Sequence, residues 1–382
     1  MKRLNPWKAA VLAADADTRS KYRKVADELR DNILSGRYAP GEPFPSVKML
    51  CRRFRISHLT AVKALEALKG MGLVRSRNGV GTFVARKTKL IGLIVPTIRQ
   101  VEIFPPIVRE ISRLCQGNGI GIDFADISCE TSDNGRSDIL STARRMVESG
   151  LSGVIFHPLD FGDDSRAVNR EVVKLFREEG VPLVILDSDL DADAADDFPR
   201  PDFVGVDNRE IGEMAGGHVL DAGARSVAFV AWSDMCSNVV KRRDGLLCAL
   251  ARVRGAKLVG EYIWRRDEAV LRAAWRRRLP DAIVCSSDMV AANVLKLLAR
   301  IGKHCPDDVL VIGVNDVDLA TLVSPTLTTV HQPCEAIAQT AFETLLWRMD
   351  NPTAEPRRIM VATSLVVRDS TCAESGRGLS GR

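Results

Sequence analysis

Between residues 90 and 315 the chain repeats one pattern: a short, almost unbroken apolar run, then ten or more residues of helical periodicity. The runs are LIGLIV, GIDFADI, SGVIF, PLVIL, FVGV, SVAFVA, DAIVC and VLVIGV, rich in valine and isoleucine. Strands buried on both faces need such runs, because neither side of the pleat can carry polar residues. Helical patterns separate them over 107–116, 137–148, 170–179, 211–221, 239–251 and 289–301. Strand and helix in alternation imply parallel sheets with helices on both faces. Eight or more strands over nearly 290 residues suit two sheets better than one, so the fold class is α/β with a two-lobed parallel-sheet domain.

The N-terminal part is of another kind. From Lys21 to Lys89 there are sixteen lysines and arginines against five acids, a net of +11, and the whole chain of 382 residues carries +5, so the rest is acidic at −6. A basic module joined to an acidic one points to a polyanion at one end and something else at the other. Val25, Leu29 and Ile33 form one helical stripe. Ser46 and Ser57 stand where caps belong, before VKMLCRRF and before a third helix whose Val62, Leu65 and Leu68 share a face. On that reading Thr60 and Lys63 lie opposite. In LVRSRNGVGTFV, Leu73, Val74, Thr82 and Phe83 read as strand and Asn78-Gly79 as the turn of a wing, with Arg75 and Arg77 beside it. Two helices set at an angle by a short joint can place the second in a DNA major groove.

The segments ILSGRYAPGEPFPS, LCRRFRISHLTAVKALEALKGMGLV and NGVGTF, in that order, resemble the winged helix-turn-helix domain of the GntR family of bacterial transcription regulators. The resemblance implies DNA contacts by Ser46, Lys48, Ser57, His58, Thr60, Lys63 and Gly79, with Arg77 supplying charge. Lys48, His58 and Lys63 stand where that family usually has arginine. Lysine lacks the planar fork that reads guanine, so phosphate contacts are expected of them.

In open parallel sheets, ligands bind at the carboxyl ends of strands. Those ends offer Pro96, Thr97, His157, Asp187, Ser188, Asp207, Trp232, Ser233, Ser286 to Asp288, Asn315 and Asp316. Carboxylates, amides, an imidazole and aromatic rings converging between lobes suit a small polyhydroxylated molecule. The stretches VGVDNREIGEMAGGHVLDAGARSVAFV, RRDGLLCAL, the long segment 280–333 and LVVRDST resemble the effector domain of LacI and GalR repressors, which shares its fold with periplasmic sugar-binding proteins. That resemblance implies Arg242 and Asp288 as main effector ligands, Asn315 or Asp316 and Gln332 as further ones, and the segment around Phe104, at the first helix's start, as lining the first lobe's side. GVND departs from that family's commoner Gly-Tyr-Asp, and its hinge helix has no counterpart. Asp207 and Asn208 are expected to cap or brace, Trp264, Trp275 and Trp347 to pack, and WRRDEAVLRAAWRRR to be a solvated face.

The expected domains are 1–84 (N-terminal extension and winged helix-turn-helix), a linker at 85–89, an effector-binding and dimerisation domain at 90–372, and a tail at 373–382. Nine scattered cysteines with no CxxC pair, and no apolar run near 18 residues, argue for a reduced, cytoplasmic, non-membrane protein without metal or cofactor. Signatures of hydrolases, nucleotide-binding enzymes and metalloproteases are missing from the sequence, and a transported sugar-binding protein would leave the basic module unexplained. The expectation is a homodimeric regulator, a repressor, that binds double-stranded operator DNA under control of a sugar.

Overall fold

The structure is a computed structural model that describes residues 21–33, 35–77, 80–85, 89–96, 102–127, 133–160, 165–190, 200–232 and 236–372, with backbone alone for 77, 96 and 133–137. The chain divides into two compact units, Met1–Thr88 and Lys89–Arg382.

In the first unit, helix α1 spans 21–33 and buries Val25 and Leu29 against Leu50, Ala61, Ala64, Leu65 and Leu68. Helix α2 (Val47–Phe54) begins at Ser46, whose hydroxyl accepts from Met49 N at 3.4 Å. It stops at Arg55, where the backbone turns left-handed at φ 51°, and two residues later Ser57 caps α3 (His58–Gly70) by accepting from Thr60 N. Strands β1 (Val74–Arg77) and β2 (Gly81–Val84) pair antiparallel, with Val74 opposite Val84. Phe44 N donates to Thr82 O, tying the loop before α2 to the wing.

Two sequence expectations are corrected in this unit. Thr60 does not lie opposite the apolar stripe: it is 4% exposed, and its hydroxyl meets Ser57 Oγ at 2.8 Å. The buried face runs through Ala61, Ala64, Leu65 and Leu68, small residues that let α3 pack closely, and Val62 is only half-buried. Leu73 lies one residue before β1, although its carbonyl still accepts from Ala85 N. The expected turn at Asn78-Gly79, the side chain of Arg77, most of the expected linker, Thr97, Ser233 and the tail at 373–382 lie outside the described residues.

The second unit holds two six-stranded sheets. Strands β3 (Leu90–Pro96), β4 (Gly121–Ile127), β5 (Gly153–Phe156), β6 (Leu183–Leu186) and β7 (Asp202–Gly205) build the first, in the order β13-β7-β6-β5-β3-β4, with β13 (Arg358–Met360) at its edge. Strands β8 (Ser226–Ala231), β9 (Lys257–Ile263), β10 (Ala282–Cys285), β11 (Leu310–Asn315) and β12 (Thr328–His331) build the second, in the order β14-β12-β11-β10-β8-β9; β14 (Ser364–Val366) alone runs antiparallel. Central strands are buried throughout, whereas edge strand β9 alternates exposed and half-buried positions. Helices α4 (Phe104–Gly117), α5 (Asp133–Glu148), α6 (Ser165–Glu178) and α12 (Cys334–Asp350) serve the first lobe. The second has α7 (Asn208–Asp221), α8 (Ser237–Ala251), α9 (Trp264–Arg277), α10 (Asp288–Arg300) and the short α11 (Leu319–Leu322).

The chain changes lobe three times, at 206–207, at 332–333 and at 361–363. One apolar cluster runs through both lobes, from Leu93 and Phe104 to Phe229 and Ile312. No helix among the described residues is long and apolar enough to cross a membrane.

Candidate ligand cleft between the lobes

Parallel strands deliver their carboxyl ends to the gap between the sheets, and the side chains there form a polar cluster of three hydrogen-bonded groups. From the first lobe come Glu102, His157, Asp160, Asp187 and Ser188. Asn208, Ser237, Asn238, Arg242, Ser286 and Asn315 face them from the second, with Gln332 on a crossover.

Arg242 is the central cation. Its Nε donates to Asn208 Oδ1 and its Nη1 to Ser286 O, both at 2.7 Å. Burial lowers its pKa, and the nearby Asp187, Glu102 and Asp288 oppose that. Its position depends on α7 and α8 touching backbone to backbone. A Cβ on Gly212 would lie 1.9 Å from Arg242 O, and one on Gly245 would lie 2.0 Å from Arg209 O.

Among the described residues, hydrogen bonds at three places join the lobes directly. Asn238 Nδ2 donates to Asp187 Oδ2 at 3.0 Å. The hydroxyls of Ser188 and Ser237 lie 3.2 Å apart, and Ser188 also donates to Asp160. Glu102, just before α4, accepts from Met289 N at 2.7 Å and Ser287 Oγ at 3.2 Å through Oε1, and from Asn315 Nδ2 at 2.9 Å through Oε2. Burial raises its pKa, against those hydrogen bonds and the charge of Arg242.

His157 Nε2 stands 3.5 Å from Asp187 Oδ2 and 3.7 Å from Asp160 Oδ2, with the Phe104 ring edge-on at 4.8 Å. Burial disfavours the charged ring, but Asp187, Asp160 and the Pro158 backbone outweigh it and hold the pKa above its ordinary value. Asp187, Asn315 and Asp316 have left-handed φ of 62°, 119° and 58° without being glycine. Such backbone persists only where its surroundings hold it, and it clusters at functional sites.

Not every expected ligand joins the cluster. Asp316 is turned away: Arg368 Nη2 donates to its Oδ1 at 2.7 Å and His331 Nδ1 lies 3.1 Å from Oδ2. Asp288 is wholly buried and braces the end of β11, accepting from Thr329 Oγ1 at 2.6 Å and from Val317 N at 3.0 Å. Gly313 makes room for it, since a Cβ there would meet Asp288 Oδ1. Phe104 lies wholly buried behind His157. Trp232 is 37% exposed just beyond β8, available at the cleft's edge. Asp207 caps α7 by accepting from Arg209 N and Glu210 N, as expected, and Asn208 holds Arg242.

The sequence reading missed Glu102, Asp160 and Asn238. Asn238 carried a signal, since its four-residue spacing from Arg242 puts both on one face of α8. Glu102 and Asp160 lie beyond the strand ends; Asp160 meets Ser188 and His157 of its own lobe, and Glu102 meets the start of α10 in the other.

Burial pushes the Asp288 carboxyl up to about 7, with Glu102 and Asp316 adding to it and the bonds from Thr329 and Val317 N opposing it. A carboxyl raised in the fold binds its proton more tightly there than in the unfolded chain. Its contribution to stability is therefore fully present below the ordinary carboxylate range and is lost as pH rises through about 7. Asp288→Asn is expected to flatten that decline by up to about 4 kcal/mol, measured as unfolding free energy across this pH window. An unchanged slope would show that Asp288 ionises normally.

A two-lobed domain and a winged helix-turn-helix unit on one chain define a class, transcription regulators. Residues 21–84 match the family of bacterial regulatory proteins, gntR family, and residues 217–371 match the periplasmic binding protein-like domain. The chain is 25% identical over 374 residues to the arabinose metabolism transcriptional repressor of Geobacillus stearothermophilus, covering 93% of this chain and 98% of that one. It is 28% identical over 292 residues to the HTH-type transcriptional repressor PurR of Photobacterium profundum, covering 74% and 81%. In fold it is similar to the transcriptional regulator CelR–cellobiose complex (TM-score 0.63, 23% identity, 83% and 92% covered). The lac repressor dimer bound to operator and an anti-inducer is also similar (TM-score 0.64, 16% identity, 81% and 98% covered). The chain thus carries a gntR-family DNA-binding domain and a periplasmic binding protein-like domain, as helix-turn-helix transcription regulators similar to it do.

Proposed function

We propose that this regulator is a homodimeric repressor acting in the cytoplasm, whose affinity for operator DNA is set by a sugar or related small polar effector held between the lobes. The observation that carries the reading is a set of buried polar atoms without partners in the cleft: Asp187 Oδ1, Gln332 Oε1 and His157 Nδ1. A buried polar atom left unpaired costs about 1–3 kcal/mol, and a polyhydroxylated molecule offers the donors and acceptors to satisfy it. Asp187, Asn238, Arg242, Asn315 and Gln332 are the ligand set this favours, with Trp232 placed to cover an apolar sugar face. The names of two relatives agree, one a repressor of arabinose metabolism and one solved with cellobiose.

On the DNA side, Lys48 and His58 are exposed and Lys63 is half-exposed, so they remain available to DNA; Ser46 and Ser57 are exposed as well, their hydroxyls spent on capping α2 and α3. Thr60 is withdrawn from the set by its burial. A two-fold dimer would present two such units to a pseudo-palindromic operator. Lys63→Ala is expected to weaken operator binding and lower its salt slope by about 1. The same variant should keep the rise in melting temperature that an effector gives the wild type. Loss of both responses together would contradict this division of labour.

A further inference from the structure

We infer that Glu102 is a specificity determinant that closes the cleft to anions, so that the effector is an uncharged polyhydroxylated molecule and not its phosphate ester or acid. The inference deepens the sugar-sensor reading and rests on it.

The position best suited to an anion is already filled. Helix α10 has thirteen residues, and its N-terminus faces the first lobe with Met289 N, the Ser287 hydroxyl and the Asn315 amide grouped together. Amides and hydroxyls grouped at a helix start are how proteins hold phosphate or carboxylate. Here all three donate to one carboxylate, supplied from the opposite lobe by Glu102.

The remaining charge points the same way. Among the described residues, the cleft brings together the carboxylates of Glu102, Asp160 and Asp187. The facing cations are Arg242 and His157, and both are engaged by the protein itself: Arg242 by Asn208 and Ser286, His157 beside Asp187 and Asp160. An entering anion would meet Glu102 at close range, while Arg242 and His157 already have protein partners. Neutral hydroxyls, by contrast, can donate to Asp187 and Gln332 without a charge penalty.

The test uses the purified full chain. Glucose, ribose and cellobiose are titrated calorimetrically beside glucose 6-phosphate, ribose 5-phosphate, gluconate and cellobionate. For whichever sugar binds, the charged counterpart is expected to bind about 100-fold more weakly, the effect of one like charge about 5 Å away at an effective dielectric of about 20. In Glu102→Gln that ratio should fall to about 10-fold or less. Glu102→Asp, which keeps the charge, and Glu268→Gln, an exposed charge change on α9, should both keep the wild-type ratio. A charged counterpart that binds wild type as tightly as its sugar, or a ratio unmoved by Glu102→Gln, overturns the inference and leaves the sugar sensor standing. If no member of a wider panel of neutral or charged sugars binds, the sensor reading fails and this inference with it.

Discussion

Arg242→Ala is expected to abolish the effector response, weakening ligand binding by about 100-fold or more, and to lower the stability of the two-lobed unit by about 3–5 kcal/mol. The guanidinium interacts electrostatically with Asp187, Glu102 and Asp288, and it also satisfies Asn208 Oδ1 and Ser286 O. Alanine leaves those oxygens without a donor and the carboxylates without a compensating charge. Arg242→Lys keeps the charge but not the planar fork, so it should recover part of the stability and little of the affinity. Thermal unfolding with and without a saturating sugar reads both quantities. An unaltered ligand-induced shift in the alanine variant would remove Arg242 from the site.

The second large effect lies where α7 crosses α8. Gly245→Ala places a methyl group 2.0 Å from the Arg209 carbonyl oxygen, a backbone atom that cannot swing aside. The helices must separate, which costs about 3 kcal/mol and lowers the melting temperature by about 6–12 °C. Gly212→Ala should behave alike, since its Cβ would meet Arg242 O. Gly217 supplies the comparison: it lies on the same helix α7 with nothing within 4 Å of a Cβ. Gly217→Ala should be neutral or stabilise by up to about 1 kcal/mol, because alanine favours helix over the unfolded chain. Equal melting temperatures for Gly245→Ala and Gly217→Ala would mean that the helices do not depend on this contact.

How much of this was legible before the structure depends on where the information resides. The central strands β3, β5, β6, β8, β10 and β11 were readable because burial on both faces writes a continuous apolar run. Edge strand β9, KLVGEYI, alternates and escaped notice, as did β12, β13 and β14, whose three or four residues gain their place by pairing with β11, β7 and β12. Helix α9 read as a charged surface, and its basic residues are exposed, yet its seam of Trp264, Leu271 and Trp275 is core. In the DNA-binding unit the serine caps fixed both helix starts, but the phase of α3 was misjudged at Thr60, because alanines bury as well as valines where helices press close.

In the cleft, the strand-end rule found His157, Asp187, Ser188, Trp232 and Asn315, and the resemblance to LacI-type domains pointed to Arg242 and Gln332. Glu102 could not be found that way. Its partners Met289, Ser287 and Asn315 lie 185 or more residues away in sequence and belong to the other lobe. The left-handed backbone at Asp187 and Asn315 likewise leaves no trace in residue type.

The central claim, that a groove reader and a small-molecule clamp work as one device, is tested most directly by titrating the full chain onto operator-bearing genomic fragments by fluorescence anisotropy. The titration is run across a range of salt, with and without the sugar that raises the protein's melting temperature. The account expects binding that falls steeply with salt and weakens about 10-fold or more when the sugar is present. Salt-insensitive binding, or operator affinity identical with and without that sugar, would contradict it.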